Sequence, residues 1–433
     1  MAEPLRIALA GLGTVGAGVV RLLHTNAALV GARAGRDIRI VAVSARDRSR
    51  DRGVDLSAFD WCDDMTAMAA RPDVDAVVEL VGGADGPALT LARAATREGK
   101  ALVTANKAMI AHHGLALAQA AEEAGVPLKF EAAVAGGIPV IKGLREGAAA
   151  NHIGRVQGIL NGTCNFILST MEQSGRDFAD VLAEAQALGF AEADPSFDID
   201  GIDAGHKLAI LAAIAFGARL DFAHVSCGGI AQVRAADISR ARDLGFVIRL
   251  VGEADIDVGA QRLLQRVRPC LVPRAHPLAH VDGATNAVVA EGNFSGRLLF
   301  QGAGAGDGPT ASAVVADLID IARGESHPAF SVPVGRLAAM KPAEPGDRLG
   351  RSYIRFTVAD RPGVLAEITA AMRDAEVSIE SLIQQGQPNA EGDVLVAMVT
   401  HEGPEKCVTR ALELLSGAAS LTAPPLVLPL LEA

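Results

Sequence analysis

Hydrophobic residues along this chain fall into two alternating textures. Leu5–Ala10 is a short, almost unbroken apolar run, the pattern of a buried strand. Ile38–Ser44, Ala76–Val81, Ala101–Thr104 and Leu128–Ala132 repeat it. Between these runs apolar positions recur every three or four residues, as in Ala88–Glu98 and Leu115–Ala124, which predicts helices. Gly99, Gly125 and Pro127 punctuate the passage from helix back to strand. Such alternation over residues 1–137 predicts an α/β domain, a parallel sheet with helices on both faces.

From about Gly137 the texture changes. Ile138–Glu146, Cys164–Glu172 and Phe178–Leu188 read as helices, Val156–Leu160 as a strand, and Ile202–Phe216 as a strongly apolar helix. Strand-like runs follow at Val247–Val251, Leu263–Val267, Ala287–Ala290 and Leu298–Gln301. The last leads through five residues of glycine and alanine, Gly302–Gly306, into a helical pattern over Ala311–Ala322. Residues 138–301 therefore predict a mixed α+β substrate domain, and about 302–330 return to complete the first domain. Pro333, Pro342, Pro345, Gly346 and Gly350 mark 331–350 as a linker. Beyond it, strand-like Tyr353–Ala359 and Val394–Thr400 and helix-like Val364–Arg373 and Glu405–Leu415 make 351–433 an α+β module of its own.

The first strand runs directly into Gly11-Leu12-Gly13-Thr14-Val15-Gly16 and then into a helical pattern. Strand, G-x-G-x-x-G and helix in that order form the dinucleotide-binding fingerprint of a Rossmann-type sheet. The first glycine allows the tight turn and the second admits a pyrophosphate. The third lets helix and strand pack, and the helix N-terminus offers free N–H groups to phosphate. Gly11, Gly13, Thr14, Val15 and Gly16 are the cofactor-binding candidates, and NAD or NADP is the cofactor. The second strand ends Val43-Ser44-Ala45-Arg46 without an acid for a ribose 2′-hydroxyl, so Arg46 favours the 2′-phosphate of NADP.

Composition narrows the class. At 433 residues the chain is long enough for about two to three domains, and half of it is hydrophobic. A net charge of −11 with no basic block argues against nucleic acid. Five scattered cysteines without C-x-x-C spacing predict reduced thiols, not a disulfide framework or a zinc site. No apolar run is long enough for a membrane span. A cytoplasmic enzyme is expected.

Two lysines stand where chemistry could use them. Lys107 follows the strand Ala101–Thr104 at the C-terminal edge of the sheet, where α/β proteins bind ligands. Lys207 sits four residues after Asp203 on one face of the apolar helix Ile202–Phe216. That helix follows the densest acidic segment, which holds Glu192, Asp194, Asp198 and Asp200. His112, His113, His206 and His327 are not spaced as a metal site.

These segments together resemble the homoserine dehydrogenases of the long bacterial form, which end in an ACT domain. The resemblance rests on Gly11–Gly16 (GLGTVG), Val103–Lys107 (VTANK), Phe130–Pro139 (FEAAVAGGIP), Asn161–Asn165 (NGTCN), Gly189–Pro195 (GFAEADP), Asp200–Lys207 (DGIDAGHK) and Gly302–Thr310 (GAGAGDGPT). The tail Asp360-Arg361-Pro362-Gly363-Val364-Leu365 resembles the opening of an ACT domain's first helix. The resemblance implies NAD(P)H-dependent interconversion of L-aspartate 4-semialdehyde and L-homoserine. It implies Lys207 as proton donor and Lys107 as a second active-site lysine, next to the cofactor. It places Glu192, Asp203, Asp198 and Thr163 at the substrate, and Gly189 and Gly306 on the cofactor side. It further implies a monovalent cation, typically sodium, on Glu131 and the carbonyls of Val134, Gly136 and Ile138. Ala133–Ile138 is a permuted form of the family's small-residue loop. Residues 138–301 would also dimerise, giving a homodimer or homotetramer, and the ACT-like module would bind an amino-acid effector, threonine. Two other readings compete: a related NADP oxidoreductase with another small substrate, and a non-catalytic amino-acid sensor that keeps a structural cofactor.

Overall fold

The computed structural model describes residues 2–384 and 393–432. Its first sheet comprises β1 (Leu5–Ala10), β2 (Ile38–Ser44), β3 (Asp60–Trp61), β4 (Ala76–Glu79), β5 (Ala101–Thr104) and β6 (Leu128–Lys129). They are all parallel and lie in the order β3-β2-β1-β4-β5-β6. The chain steps outward from β1, returns, and steps outward on the other side from β4. The reversal between β1 and β4 opens a crevice at the C-terminal ends of the strands. Helices α1 (Thr14–Thr25), α2 (Ala27–Ala34), α3 (Pro87–Arg97) and α4 (Lys107–Ala124) cover the sheet.

Two expected elements change form where the chain leaves this sheet. The strand expected over Leu128–Ala132 stops at Lys129, and Glu131–Ala133 forms a 3-10 turn. The Glu131 amide donates to Asp317 Oδ2 at 2.9 Å, so a buried side chain takes the place of a ladder partner. The helix expected over Ile138–Glu146 is a single α-turn, α5 (Val140–Lys142), continued as a π-helical turn over Gly143–Gly147.

The second sheet holds β7 (Ile153–Ile159), β8 (Ser226–Cys227), β9 (Phe246–Asp257), β10 (Arg262–Pro273), β11 (Thr285–Gly292), β12 (Gly296–Ala303) and β13 (Lys341–Pro342). Its order is β12-β11-β7-β9-β10-β13, with β8 beside β10. β9 and β10 are 12 residues each, much longer than the apolar runs that announced them. Their extensions are held by ion pairs: Arg266 meets Glu253 at 2.9 Å, buried, and Arg155 meets Asp255 at 2.5 Å, half-buried. Five helices accompany this sheet: α6 (Gly162–Ser174), α7 (Phe178–Ala187), α8 (Ser196–Ile199), α9 (Ile202–Phe216) and α10 (Ala235–Asp243). α9 packs across β7, β9 and β10, and nearly all of its residues from Asp203 to Ile214 are buried. The next helix, α11 (Asp307–Arg323), returns to the first domain and lies against α1. The two backbones come close: a Cβ on Gly18 would lie 2.8 Å from the carbonyl oxygen of Asp307.

Residues 331–350 are laid down on the protein rather than left free. Ser331 donates to the carbonyl of Ile214, β13 pairs with β10, and Val334 and Leu337 are buried. Arg348 meets Glu253 at 2.7 Å and Asp255 at 3.1 Å. A short pair, β14 (Leu349–Gly350) with β18 (Gly403–Pro404), closes the strap.

The last sheet is antiparallel, ordered β16-β17-β15-β19, from β15 (Ser352–Ala359), β16 (Ile379–Gln384), β17 (Asp393–Thr400) and β19 (Leu421–Pro429). Helices α12 (Val364–Asp374) and α13 (Glu405–Leu414) pack on Ile354, Phe356 and Val358 from one side. The alternate residues of β15, among them Tyr353, Arg355 and Thr357, are also buried. They face the catalytic domain, so this sheet is covered on both sides. Among the described residues no single helix is long and apolar enough to cross a membrane.

Candidate active site

The site forms where the Rossmann crevice meets the N-terminal turn of α9. Gly201 precedes that helix with φ 82°, a left-handed conformation that glycine adopts without strain. The turn it makes sets Asp203 on the first turn of a helix whose other neighbours are apolar. Lys207, one turn later, donates from Nζ to Asp203 Oδ2 at 2.6 Å and to the carbonyl of Leu160 at 2.8 Å. An ammonium carries three protons, so one N–H of Lys207 is left for a ligand.

Lys107 arrives from the other domain. Asn106 caps α4, accepting from Met109 N at 3.0 Å and donating to the carbonyl of Gly83 at 2.7 Å. This fixes Lys107 at the sheet edge. Its Nζ lies 3.2 Å from Asp203 Oδ1 and 5.9 Å from the ring centre of Phe197. Burial alone would raise the pKa of Asp203, but Lys207 and Lys107 outweigh it and hold the carboxyl well below the usual range.

Asn161 ties this pair to α8. Its side-chain oxygen caps α6 by accepting from Cys164 N at 2.8 Å. Its amide donates to Asp198 Oδ1 at 2.8 Å and to Asp203 Oδ2 at 2.9 Å. Thr163 Oγ1 lies 3.1 Å from Asp198 Oδ2 and 2.8 Å from the carbonyl of Phe190. The structure thus brings Lys107, Lys207, Asp203, Asp198 and Thr163 together. Glu192 is exposed on the neighbouring loop, and its carboxylate has no partner among the described residues. Gly189 adjoins Phe190 in that loop, with φ 77° at the end of α7. Cys164 beside Asp198 is buried, which pushes its thiol pKa far up and keeps it inert.

The glycine loop fits a dinucleotide. A Cβ on Gly11 would sit 2.5 Å from the carbonyl oxygen of Leu80, and one on Gly16 2.0 Å from that of Gly11. At Gly13 nothing lies within 4 Å, so its open side can accept a phosphate. Thr14 and Val15 open α1 directly behind it. Arg46 is exposed beyond the end of β2. Gly306 caps α11, whose Asp307 meets Arg21 of α1 at 2.7 Å.

Glu131 lies apart from the lysines. It is buried, and its two oxygens accept from the amides of Ile141 and Lys142, each at 2.9 Å. Burial and the neighbouring Asp317 push its carboxyl up to about 7. Ala135 and Gly136, with φ 55° and 54°, turn the backbone between Val134 and Ile138. A buried carboxylate is an oxygen donor of the kind a hard cation takes, and here each of its oxygens already accepts one amide.

Comparison with known proteins decides the family. The homoserine dehydrogenase family model matches residues 139–319, the NAD-binding domain of homoserine dehydrogenase matches 11–131, and the ACT domain matches 352–413. The homoserine dehydrogenase of Neisseria gonorrhoeae is 46% identical over 422 residues, which is 95% of this chain and 94% of that protein. The chain belongs to the homoserine dehydrogenase family.

The homoserine dehydrogenase of Pseudomonas aeruginosa is 43% identical, covering 98% of both chains. Among solved structures, a homoserine dehydrogenase from Thiobacillus denitrificans superposes with a TM-score of 0.92 at 41% identity, covering 99% of each. A hyperthermophilic archaeal homoserine dehydrogenase in complex with NADPH matches 73% of this chain and 97% of its own, with a TM-score of 0.63 at 26% identity. The chain is thus an oxidoreductase with a Rossmann-type NAD(P)-binding domain and a C-terminal ACT domain, and the sensor reading falls.

Sequence reasoning gave no role to several residues of this homoserine dehydrogenase site. Asn161 was visible only as part of a motif, although an asparagine just before a helix is a capping signal. Glu79, fully buried at the end of β4, accepts from the amides of Val81 and Gly82 and from the Thr104 hydroxyl. It shapes the turn that faces the glycine loop. His206 packs its ring on Phe222, His112 and Phe197, and no sequence pattern announced that cluster.

Proposed function

We propose that this chain reduces L-aspartate 4-semialdehyde to L-homoserine, reversibly, in threonine, methionine and isoleucine biosynthesis. The convergence of Lys107 and Lys207 on Asp203 at the mouth of the Rossmann crevice carries this reading. NADPH, when bound, supplies the hydride. The free N–H of Lys207 points the proton at the developing alkoxide, so the aldehyde carbon gains hydride and its oxygen gains a proton. Asp203 and the Leu160 carbonyl hold that ammonium in orientation. Lys107 adds positive charge on the cofactor side. Asp203, Asp198, Thr163 and Glu192 serve the substrate's amino-acid end, Glu192 moving in from its exposed loop. Homoserine-dependent formation of reduced cofactor, followed by absorbance, tests the reading. No turnover of homoserine with either NADP or NAD would overturn it.

Finer features belong to the same proposal. NADP is preferred through Arg46, and the archaeal relative's complex with NADPH supports the choice. Gly189 and Gly306 border the cofactor. Sodium is held by Glu131 with the carbonyls of Val134, Gly136 and Ile138, offsetting the cost of burying that carboxylate beside Asp317. Residues 138–301 carry a homodimer or homotetramer contact. The open edge strand β12, with Leu299 half exposed and Phe294 at the adjoining turn almost fully so, supports this. Threonine is the effector at the ACT domain. The five unpaired cysteines suit the reducing cytoplasm.

A further inference from the structure

The inner face of β15 carries a buried ion pair that no catalytic step requires. Arg355 is 4% exposed and Asp237, on the first turn of α10, is 0% exposed. The two form a salt bridge, and the Tyr353 hydroxyl lies 3.0 Å from the other oxygen of Asp237. Both terminal nitrogens of Arg355 also lie 3.4 Å from the carbonyl of Gln232. Burying such a pair costs desolvation that an apolar pair would avoid, so stability alone is a weak reason for it. What the pair does hold is the segment between β8 and α10. Asp237 Oδ2 accepts from the amide of Arg234 at 2.9 Å, and Arg355 grips Gln232 directly.

That segment presses on the substrate end of the cleft. Ile230 donates its amide to the carbonyl of Ile199 at 2.9 Å. A Cβ on Gly229 would sit 2.4 Å from the same carbonyl and 2.9 Å from Asp200 Cα. Ile199 closes α8, a helix of four residues with no buried side chain of its own. So short and exposed a turn is placed by its neighbours rather than by a core. It carries Asp198, which receives Asn161 and Thr163, and Asn161 reaches on to Asp203.

We propose that Arg355 of the ACT domain is a positioning residue for the substrate cleft, acting through the 228–234 segment to set α8 and Asp198. This rests on the reading of Asp198 as a substrate-side residue. Four full-length variants test it. Asp198→Asn checks that reading by itself and should raise KM for homoserine. Arg355→Lys keeps a cation on Asp237 but withdraws the fork from Gln232. It should raise KM for homoserine by about three- to tenfold while KM for NADP stays within about twofold. Gly229→Ala, acting at the other end of the same route, should give the same split. If that variant does not fold, Ile230→Val replaces it. In the double variant the two effects should not add, because they break one chain of contacts. A lower Tm with an unchanged homoserine KM in Arg355→Lys would make the pair a mere dock and overturn the proposal. Additive effects in the double variant would overturn it too. An unchanged KM in Asp198→Asn would instead bring down the substrate-side reading itself.

Discussion

Lys107 Nζ lies 3.2 Å from Asp203 Oδ1, and the two residues come from different domains. Lys107 opens α4 at the edge of the Rossmann sheet, while Asp203 sits at the start of the buried helix α9. Lys207 occupies the other oxygen of the same carboxylate at 2.6 Å. Each oxygen of Asp203 thus answers one ammonium, and the cleft is bridged by charge before any ligand arrives.

Removing the proposed proton donor should stop chemistry without stopping binding. Lys207→Ala is expected to lower kcat by roughly a hundredfold or more. Fluorescence titration should show NADPH affinity unchanged, since the glycine loop is untouched. Turnover at the level of the parent enzyme would remove Lys207 from the mechanism.

Cofactor choice should respond to the end of β2. Arg46→Ala is expected to raise KM for NADP by about five- to tenfold and KM for NAD by less than about twofold, the loss of one exposed charged contact to a phosphate. Equal changes for both cofactors would deny Arg46 any discriminating role.

His206 makes stability depend on pH. Burial, with His112 beside it, lowers this imidazole from 6.5 to about 4. The unfolded chain takes up a proton that the fold refuses. Stability is therefore full above about 6.5 and is lost as the pH falls toward about 4. His276, also lowered to about 4 by burial, acts in the same direction. His206→Phe should leave a smaller drop in Tm between pH 7 and pH 5 than the parent shows. An equal drop would place the acid sensitivity elsewhere.

A cation at Glu131 should be visible in the melting temperature. Sodium chloride is expected to raise Tm above that in choline chloride at equal ionic strength. Glu131→Gln should erase the difference. If the parent melts alike in both salts, Glu131 holds no cation.

Cutting the chain after Gly350 should not leave a healthy catalytic core. Composition alone reads 331–350 as a linker, and a linker crossed by few contacts would let the ACT domain be cut away from a folded, active enzyme. In the structure, Leu426, Leu428 and Leu430 join the main core, and Leu431 donates its amide to the carbonyl of Leu271 at 2.8 Å. The truncated protein should lose Tm and soluble yield, read by thermal melting and gel filtration. A truncated enzyme that melts like the parent would show that the dock is dispensable.

Several elements were legible to the residue, although the strand expected over Ala76–Val81 stops at Glu79, whose side chain turns back on the next amides. Leu5–Ala10, Ile38–Ser44, Ala101–Thr104 and Ile202–Phe216 have the same bounds in sequence and structure. The edge strands β16 and β19 were not. β19 contains Pro424 and Pro425, which an interior strand would exclude and an edge strand tolerates. β9 and β10 were read short because their continuations carry Glu253, Asp255 and Arg268, which look like surface residues until their ion-pair partners are known. In the site, Asp203 and Lys207 could be paired from helical spacing alone. That Lys107 joins them depends on how two domains meet, which local sequence does not encode.

The strand β15, buried on both faces, bears on exchange between relatives. Here Tyr353 and Arg355 reach Asp237 on the host's α10. An ACT domain grafted from another enzyme would leave Asp237 buried without partners unless it brought hydrogen-bonding groups to these two places. Host and module are therefore bound to vary together.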